Sequence, residues 1–162
     1  MTKATENRRE IERKFLVAQS SWRSAISDQR TFRQGYLNLD PDRTVRIRLD
    51  DQGARLTVKG RAVGMVRPEY EYEIPRRDAE AMLATLCEGE PITKTRFIVP
   101  HGQHRWEIDV FQGANEGLVI AEVELEHPNE SIEHPPWLGV EVTDDTRYFN
   151  SQLAQRPYQT WD

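Results

Sequence analysis

From Glu10 onward this chain repeats one pattern in short runs: an ionic side chain, an apolar one, then an ionic one again. Side chains of a strand point alternately to its two faces, so each run specifies a strand with one charged and one apolar face. Glu10, Glu12 and Lys14 share a face. Arg46 and Arg48 stand with Thr44, opposite Val45, Ile47 and Leu49. Arg55, Thr57 and Lys59 oppose Leu56 and Val58, and Glu69, Glu71 and Glu73 alternate with Tyr70, Tyr72 and Ile74. Lys94 and Arg96 oppose Phe97 and Val99. Arg105, Glu107 and Asp109 oppose Trp106, Ile108 and Val110. Glu122, Glu124 and Glu126 oppose Ala121, Val123 and Leu125.

Turn signals separate the runs, as at Asp40-Pro41-Asp42, Asp50–Gly53 and His101-Gly102-Gln103. Eight or so short strands spaced this way predict a β-rich, antiparallel fold in one domain over residues 1–162, with its core at about 9–155. Helical spacing is rare. Ala79, Met82, Leu83 and Leu86 form an apolar stripe over Arg76–Cys87. Ser20 or Ser21 can cap a short helix over Trp22–Ile26. Asp144 or Asp145 can cap a last helix carrying Tyr148, Phe149 and Leu153.

Two closures satisfy this alternation. The apolar faces can fill the centre and leave the ionic faces in water, as antiparallel sheets commonly do. Alternatively the ionic faces line a polar channel, and the apolar faces pack outward under the helices and the Trp22 segment. Same-sign rows such as Glu69-Glu71-Glu73 gain little on a solvated sheet face, where like charges repel across strands. Around a ligand they make sense: cations grip phosphates, and carboxylates hold a hard metal ion.

Charge and cysteine content narrow the function classes. The net charge of −5 argues against wholesale attraction to nucleic acid or an anionic membrane, so an anionic ligand must be drawn by a local basic site. Cys87 is the single cysteine, which excludes an internal disulfide and fits a reducing cytoplasm. No apolar run reaches a membrane span and none reads as a signal peptide, so the expectation is a cytoplasmic protein. His101, His104, His127 and His134 show no metal-ligand spacing.

Glu10-Ile11-Glu12-Arg13-Lys14 matches the Glu-x-Glu-x-Lys signature of the CYTH superfamily, the triphosphate tunnel metalloenzymes. Other stretches agree in type and order: Gln34-Gly35-Tyr36-Leu37, Val45-Arg46-Ile47-Arg48, Leu56-Thr57-Val58-Lys59-Gly60, Lys94-Thr95-Arg96-Phe97, Trp106 to Phe111 and Ala121 to Leu125. The chain most resembles the short bacterial inorganic triphosphatases.

The resemblance implies an eight-stranded antiparallel β-barrel tunnel with a charged lumen and helices packed outside. It implies Mg²⁺ or Mn²⁺ and a small-molecule triphosphate, most simply inorganic tripolyphosphate cleaved to pyrophosphate and phosphate. Lys14, Arg46, Arg48, Lys59, Lys94 and Arg96 would bind phosphate oxygens, with Arg55 as a weaker candidate. Glu10, Glu12, Asp109, Glu122 and Glu124 would bind metal. Lys94, Tyr36 and Glu12 would act in catalysis, Tyr36 through Lys94 or the substrate. Glu69, Glu71 and Glu141 would complete the acidic wall or serve as structural ion pairs. A class IV adenylyl cyclase, a thiamine triphosphatase and a non-catalytic polyphosphate- or nucleotide-binding module are the alternatives, and a homodimer is left open.

Overall fold

A computed structural model describes residues 8–162. Nine strands run in the order β1 (Arg9–Val17), β2 (Asp28–Asn38), β3 (Arg43–Asp50), β4 (Gly53–Gly60), β5 (Val66–Ile74), β6 (Glu88–His101), β7 (His104–Phe111), β8 (Val119–Glu124) and β9 (Leu138–Glu141). Helix α1 (Arg76–Thr85) links β5 to β6, and α2 (Asn150–Gln155) follows β9. Every pairing is antiparallel, and β1 bonds to both β5 and β8, so eight strands close into a ring. One edge of β1 is divided: residues 9–11 pair with β5, and Phe15 and Val17 pair with β9.

The burial pattern decides which way the sheet closes. Lys14, Arg46, Lys94, Asp109 and Glu122 are each at most 8% exposed, an interior no apolar-centred barrel would have. The ionic faces line the lumen, and most of the apolar core lies outside the barrel wall. One cluster joins Ile11, Phe15, Trp106, Ile108 and Val123 to Trp22 and Trp137, which lie over the outer surface. Trp22 sits in a 3-10 turn, Ser21–Ala25, where the sequence predicted a short helix. A second cluster packs Ile47, Leu49 and Ala54 beneath Ala79 of α1.

The third cluster departs from expectation. Ile92, Phe111 and Ile120 share strand parity with Lys94, Asp109 and Glu122, so they face inward at one end of the lumen. Leu153 of α2 seals them. The last helix therefore plugs the tunnel instead of covering its outside. It is also shorter than predicted: Asp145 caps a 3-10 turn at Thr146–Tyr148, and extended Phe149 separates that turn from α2.

The helix predicted over Arg76–Cys87 ends at Thr85, leaving Leu86 outside its apolar stripe and 60% exposed. The chain then enters β6, with Gly89 at φ +75° against the backbone of Ala154 in α2, a conformation and a closeness that suit glycine alone. Gly35 marks another tight approach. A Cβ there would lie 2.8 Å from Cys87 Sγ and 3.2 Å from Leu83 Cδ2. Gly35→Ala should cost about 1–3 kcal/mol by overpacking, read as a lower urea midpoint, and the double variant with Cys87→Ala should recover part of the loss. An unchanged midpoint would show that the strand and α1 separate freely. Among the described residues no helix is long and apolar enough to cross a membrane.

Candidate active site

The lumen holds a cavity of about 350 Å³. β3 contributes Arg46 and Arg48, β4 Arg55 and Lys59, β6 Lys94 and Arg96, and β1 Lys14 together with Glu10 and Glu12. β8 brings Glu122 and Glu124, and β5 Glu69 and Glu71. A second cavity, lined by Arg30, Phe32, Glu73 and Arg105, shares Arg48, Arg55, Glu71, Arg96 and Glu107 with the first and carries it toward the end opposite α2. Register makes the mixture. Glu12 stands opposite Glu124 and Lys14 opposite Glu122, while Arg48 stands between Gln34 and Arg55.

The basic groups divide into paired and unpaired ones. Lys59 Nζ lies 3.0 Å from Glu10 Oε1 and 3.5 Å from Glu69 Oε2. Burial alone would raise the Glu10 carboxyl, but Lys59 and Arg46 outweigh it and hold the group at about 2. Burial and the negative Glu10 push Glu69 up to about 7. Lys94 Nζ is 2.7 Å from Asp109 Oδ2, and Arg96 grips the other oxygen at 2.8 Å. Even so, burial, with Arg96 and Arg48 nearby, brings the Lys94 ammonium down to about 7.

Arg48 differs from these. Among the described residues it has no carboxylate partner. Its Nε donates to Gln34 Oε1 at 2.9 Å, and its guanidinium stacks on Phe32 at 4.3 Å. Burial, then Arg46 and Arg96, lowers it to about 9. Arg46 reaches Glu71 at 3.4 Å through one nitrogen, while its buried Nε has no partner among the described residues. Buried donors are normally satisfied, so two under-used guanidiniums side by side make a site for an anion.

The acidic wall carries the opposite excess. Burial, then the charges of Glu10 and Glu122, drives the Glu12 carboxyl well above its ordinary range. Crowded carboxylates that resist ionising together are what a bound cation relieves, so this donor set fits a divalent metal. Among the described residues no three carboxylate, histidine or cysteine side chains already stand together as a metal cluster.

Comparison with known proteins places this geometry. The model of the CYTH domain matches residues 8–158. The chain belongs to the CYTH family. The inorganic triphosphatase of Acetivibrio thermocellus is 44% identical over 153 residues, which cover 94% of this chain and 97% of the relative. That of Nitrosomonas europaea is 40% identical over 151 residues, covering 90% and 96%. A crystal structure of an inorganic triphosphatase superposes with a TM-score of 0.63 at 34% identity, covering 90% of this chain and 97% of the other.

In this CYTH tunnel, Glu10, Glu12, Lys14, Tyr36, Arg46, Arg48, Lys59, Lys94, Arg96, Glu122 and Glu124 all line the first cavity. Asp109 does not. It is fully buried behind Lys94 and Arg96, which occupy both its oxygens, so it serves as their counter-ion and is a poor metal ligand. Glu141 lies outside the tunnel. Its register partner on β1 is Phe15, an outward residue, and its carboxylate binds Arg13 at 2.7 Å. Tyr36 Oη accepts from Gln34 Nε2 at 3.4 Å, so its contact is Gln34 and not Lys94. His101 and His104 pair with Glu133 and Glu130, away from the cavity.

Sequence reasoning missed Gln34, Arg67, Glu107, Phe149 and Asn150 as residues of the CYTH cavity or its wall. Glu107 was legible, since it shares the parity of Asp109 and lies 3.3 Å from Arg96. Phe149, whose ring lies 5.0 Å from Lys14 Nζ, and Asn150 reach the lumen only because α2 folds back into it, and no local pattern marks that.

Proposed function

We propose that the chain, as a single catalytic domain, hydrolyses inorganic tripolyphosphate to pyrophosphate and phosphate with a divalent metal, Mg²⁺ or Mn²⁺. The observation that carries this is the pairing of Arg46 and Arg48, with donors unspent, across the lumen from carboxylates that crowd Glu12. The names of the two 40–44% identical relatives support the same substrate. Glu10, Glu12, Glu122 and Glu124 would hold the metal, which would neutralise phosphate charge and lower the pKa of water bound to it.

The remaining work belongs to the protein. Arg46 and Arg48 take phosphate oxygens through charge-assisted hydrogen bonds, the guanidinium fork fixing their orientation. Lys14, Lys59 and Arg96 add point charge and direction along the chain of phosphates. Lys94 donates to the oxygens of the terminal phosphoryl group, where charge is greatest during transfer. Water bonds to the terminal phosphorus as the bridging P–O bond breaks, and the electron pair departs on the pyrophosphate oxygen. Glu12, a carboxylate of the acidic wall, receives the proton that this water gives up.

A pure anion-binding module has no use for the crowded acidic wall. The test is phosphate release from tripolyphosphate, ATP and thiamine triphosphate, each with Mg²⁺, Mn²⁺ or excess chelator. Tripolyphosphate should show the highest kcat/KM, and chelation should abolish turnover. Cyclic AMP as the main product, or turnover that survives chelation, would overturn the reading.

A further inference from the structure

Asn150 opens α2 at the plugged end of the tunnel and lines the cavity. Its Oδ1 lies 2.8 Å from Lys94 Nζ and 3.1 Å from Gln34 Nε2. An ammonium can only donate, so the atom facing Lys94 must be the amide oxygen, and the NH₂ group is turned away from it. That NH₂ has no protein partner among the described residues. Gln34 uses its other end on Arg48, accepting from Nε at 2.9 Å. Two neutral amides thus connect Lys94 on β6 with Arg48 on β3, through β2 and α2.

Neutrality is the telling property. Asp109, at 2.7 Å, already balances the charge of Lys94. A second carboxylate at position 150 would cancel the field that an incoming phosphate needs, and would repel the phosphate itself. An amide fixes the direction of an ammonium while leaving its charge in place. Gln34 does the same for Arg48, whose only side-chain hydrogen bond among the described residues is to that amide.

We propose that Asn150 is a positioning residue for triphosphate cleavage: it aims the Lys94 ammonium and, through Gln34, braces the Arg48 guanidinium. This role rests on the triphosphatase reading of the tunnel. It also gives α2 a function beyond sealing Ile92, Phe111 and Ile120, since the helix carries one end of the relay into the site.

Kinetics of Asn150→Ala, Asn150→Asp and Gln34→Ala with tripolyphosphate test the proposal. Asn150→Ala should lower kcat by about 10- to 100-fold, the range expected when a group that orients a catalytic one is lost, with KM changed less than about threefold. Asn150→Asp keeps an oxygen on Lys94 and adds an anion, so its kcat should stay closer to wild type while KM rises. The losses in Asn150→Ala and Gln34→Ala should fall short of additive in the double variant, because both cut one relay. Asn150→Ala with wild-type kcat, or single losses that simply add, would overturn the role. A folding defect in the alanine variant leaves the aspartate variant decisive, and there an unchanged KM counts against the proposal. If wild type releases no phosphate from tripolyphosphate, the functional reading falls and this role falls with it. Active wild type beside an equally active Asn150→Ala removes this role alone.

Discussion

Glu12→Gln should give a protein that melts higher than wild type and yet hydrolyses tripolyphosphate at least about 10²-fold more slowly. Both effects come from one carboxyl group. Enclosed beside Glu10 and Glu122, Glu12 ionises only at a cost, because burial and two like charges oppose it. Its folded-state pKa lies above the unfolded value of about 4.5. The folded state therefore holds the proton more tightly, and stability falls as pH rises from that value toward the folded pKa. Glutamine never meets this penalty. Without divalent metal, the melting advantage of Glu12→Gln should vanish near pH 4 and grow as pH rises above about 4.5. Mg²⁺ should stabilise wild type more than the variant, since a ligand stabilises in proportion to how well the native state binds it. Some tripolyphosphate binding should persist on the basic wall. Unchanged turnover would remove Glu12 from the chemistry, and a lower melting point at pH 8 would refute the crowding.

Arg48→Met should weaken tripolyphosphate binding by about 10²-fold, close to 3 kcal/mol for a lost charge-assisted contact, without lowering stability at pH 7. Arg48 is charged in an enclosed lumen with a neutral amide as its protein partner, and its folded-state pKa of about 9 lies below the ordinary guanidinium value. The sign is opposite to that of a stabilising pair. The folded state is penalised for the proton below about pH 9, and the penalty fades as pH rises from there toward the ordinary guanidinium value. Methionine removes the penalty and can still lie on Phe32, where the guanidinium now stacks at 4.3 Å. Calorimetric titration of tripolyphosphate with a parallel thermal melt reads both effects. Wild-type affinity in Arg48→Met would show that the under-used guanidinium is not an anion site. Together the two variants describe a tunnel that gives up stability at the residues its chemistry requires.

The alternation of ionic and apolar residues made most of this legible in the sequence. Period two assigns faces within a strand, and same-sign rows such as Glu69-Glu71 indicate which face is enclosed. Alternation fails where a strand stands outside the ring. β9 pairs with β1 only at Phe15 and Val17, so Glu141 inherits the outward direction of Phe15 although its own neighbours alternate like those of Glu122. Parity cannot report depth either. Asp109 and Glu122 both point inward, yet one is locked behind two cations and the other lines the cavity. Tyr148-Phe149-Asn150 resembles the closing segment of the CYTH family, but nothing local assigned Asn150 its role, which depends on where a six-residue helix docks, and that is set by Leu153 meeting residues of three distant strands.

The divided edge of β1 bears on how the chain assembles. Its partners are far along the sequence: Glu10 meets Arg67, Glu12 meets Glu124, and Phe15 meets Glu141. The hairpins from β2 to β5 and from β6 to β8 can form from nearby residues, but β1 finds all its neighbours only after β5, β8 and β9 are in place. Contacts of such long sequence separation slow folding, and an unpaired edge exposed meanwhile invites association with other chains. Refolding from urea should accordingly end in a slow phase that closes the ring, with yield falling as protein concentration rises.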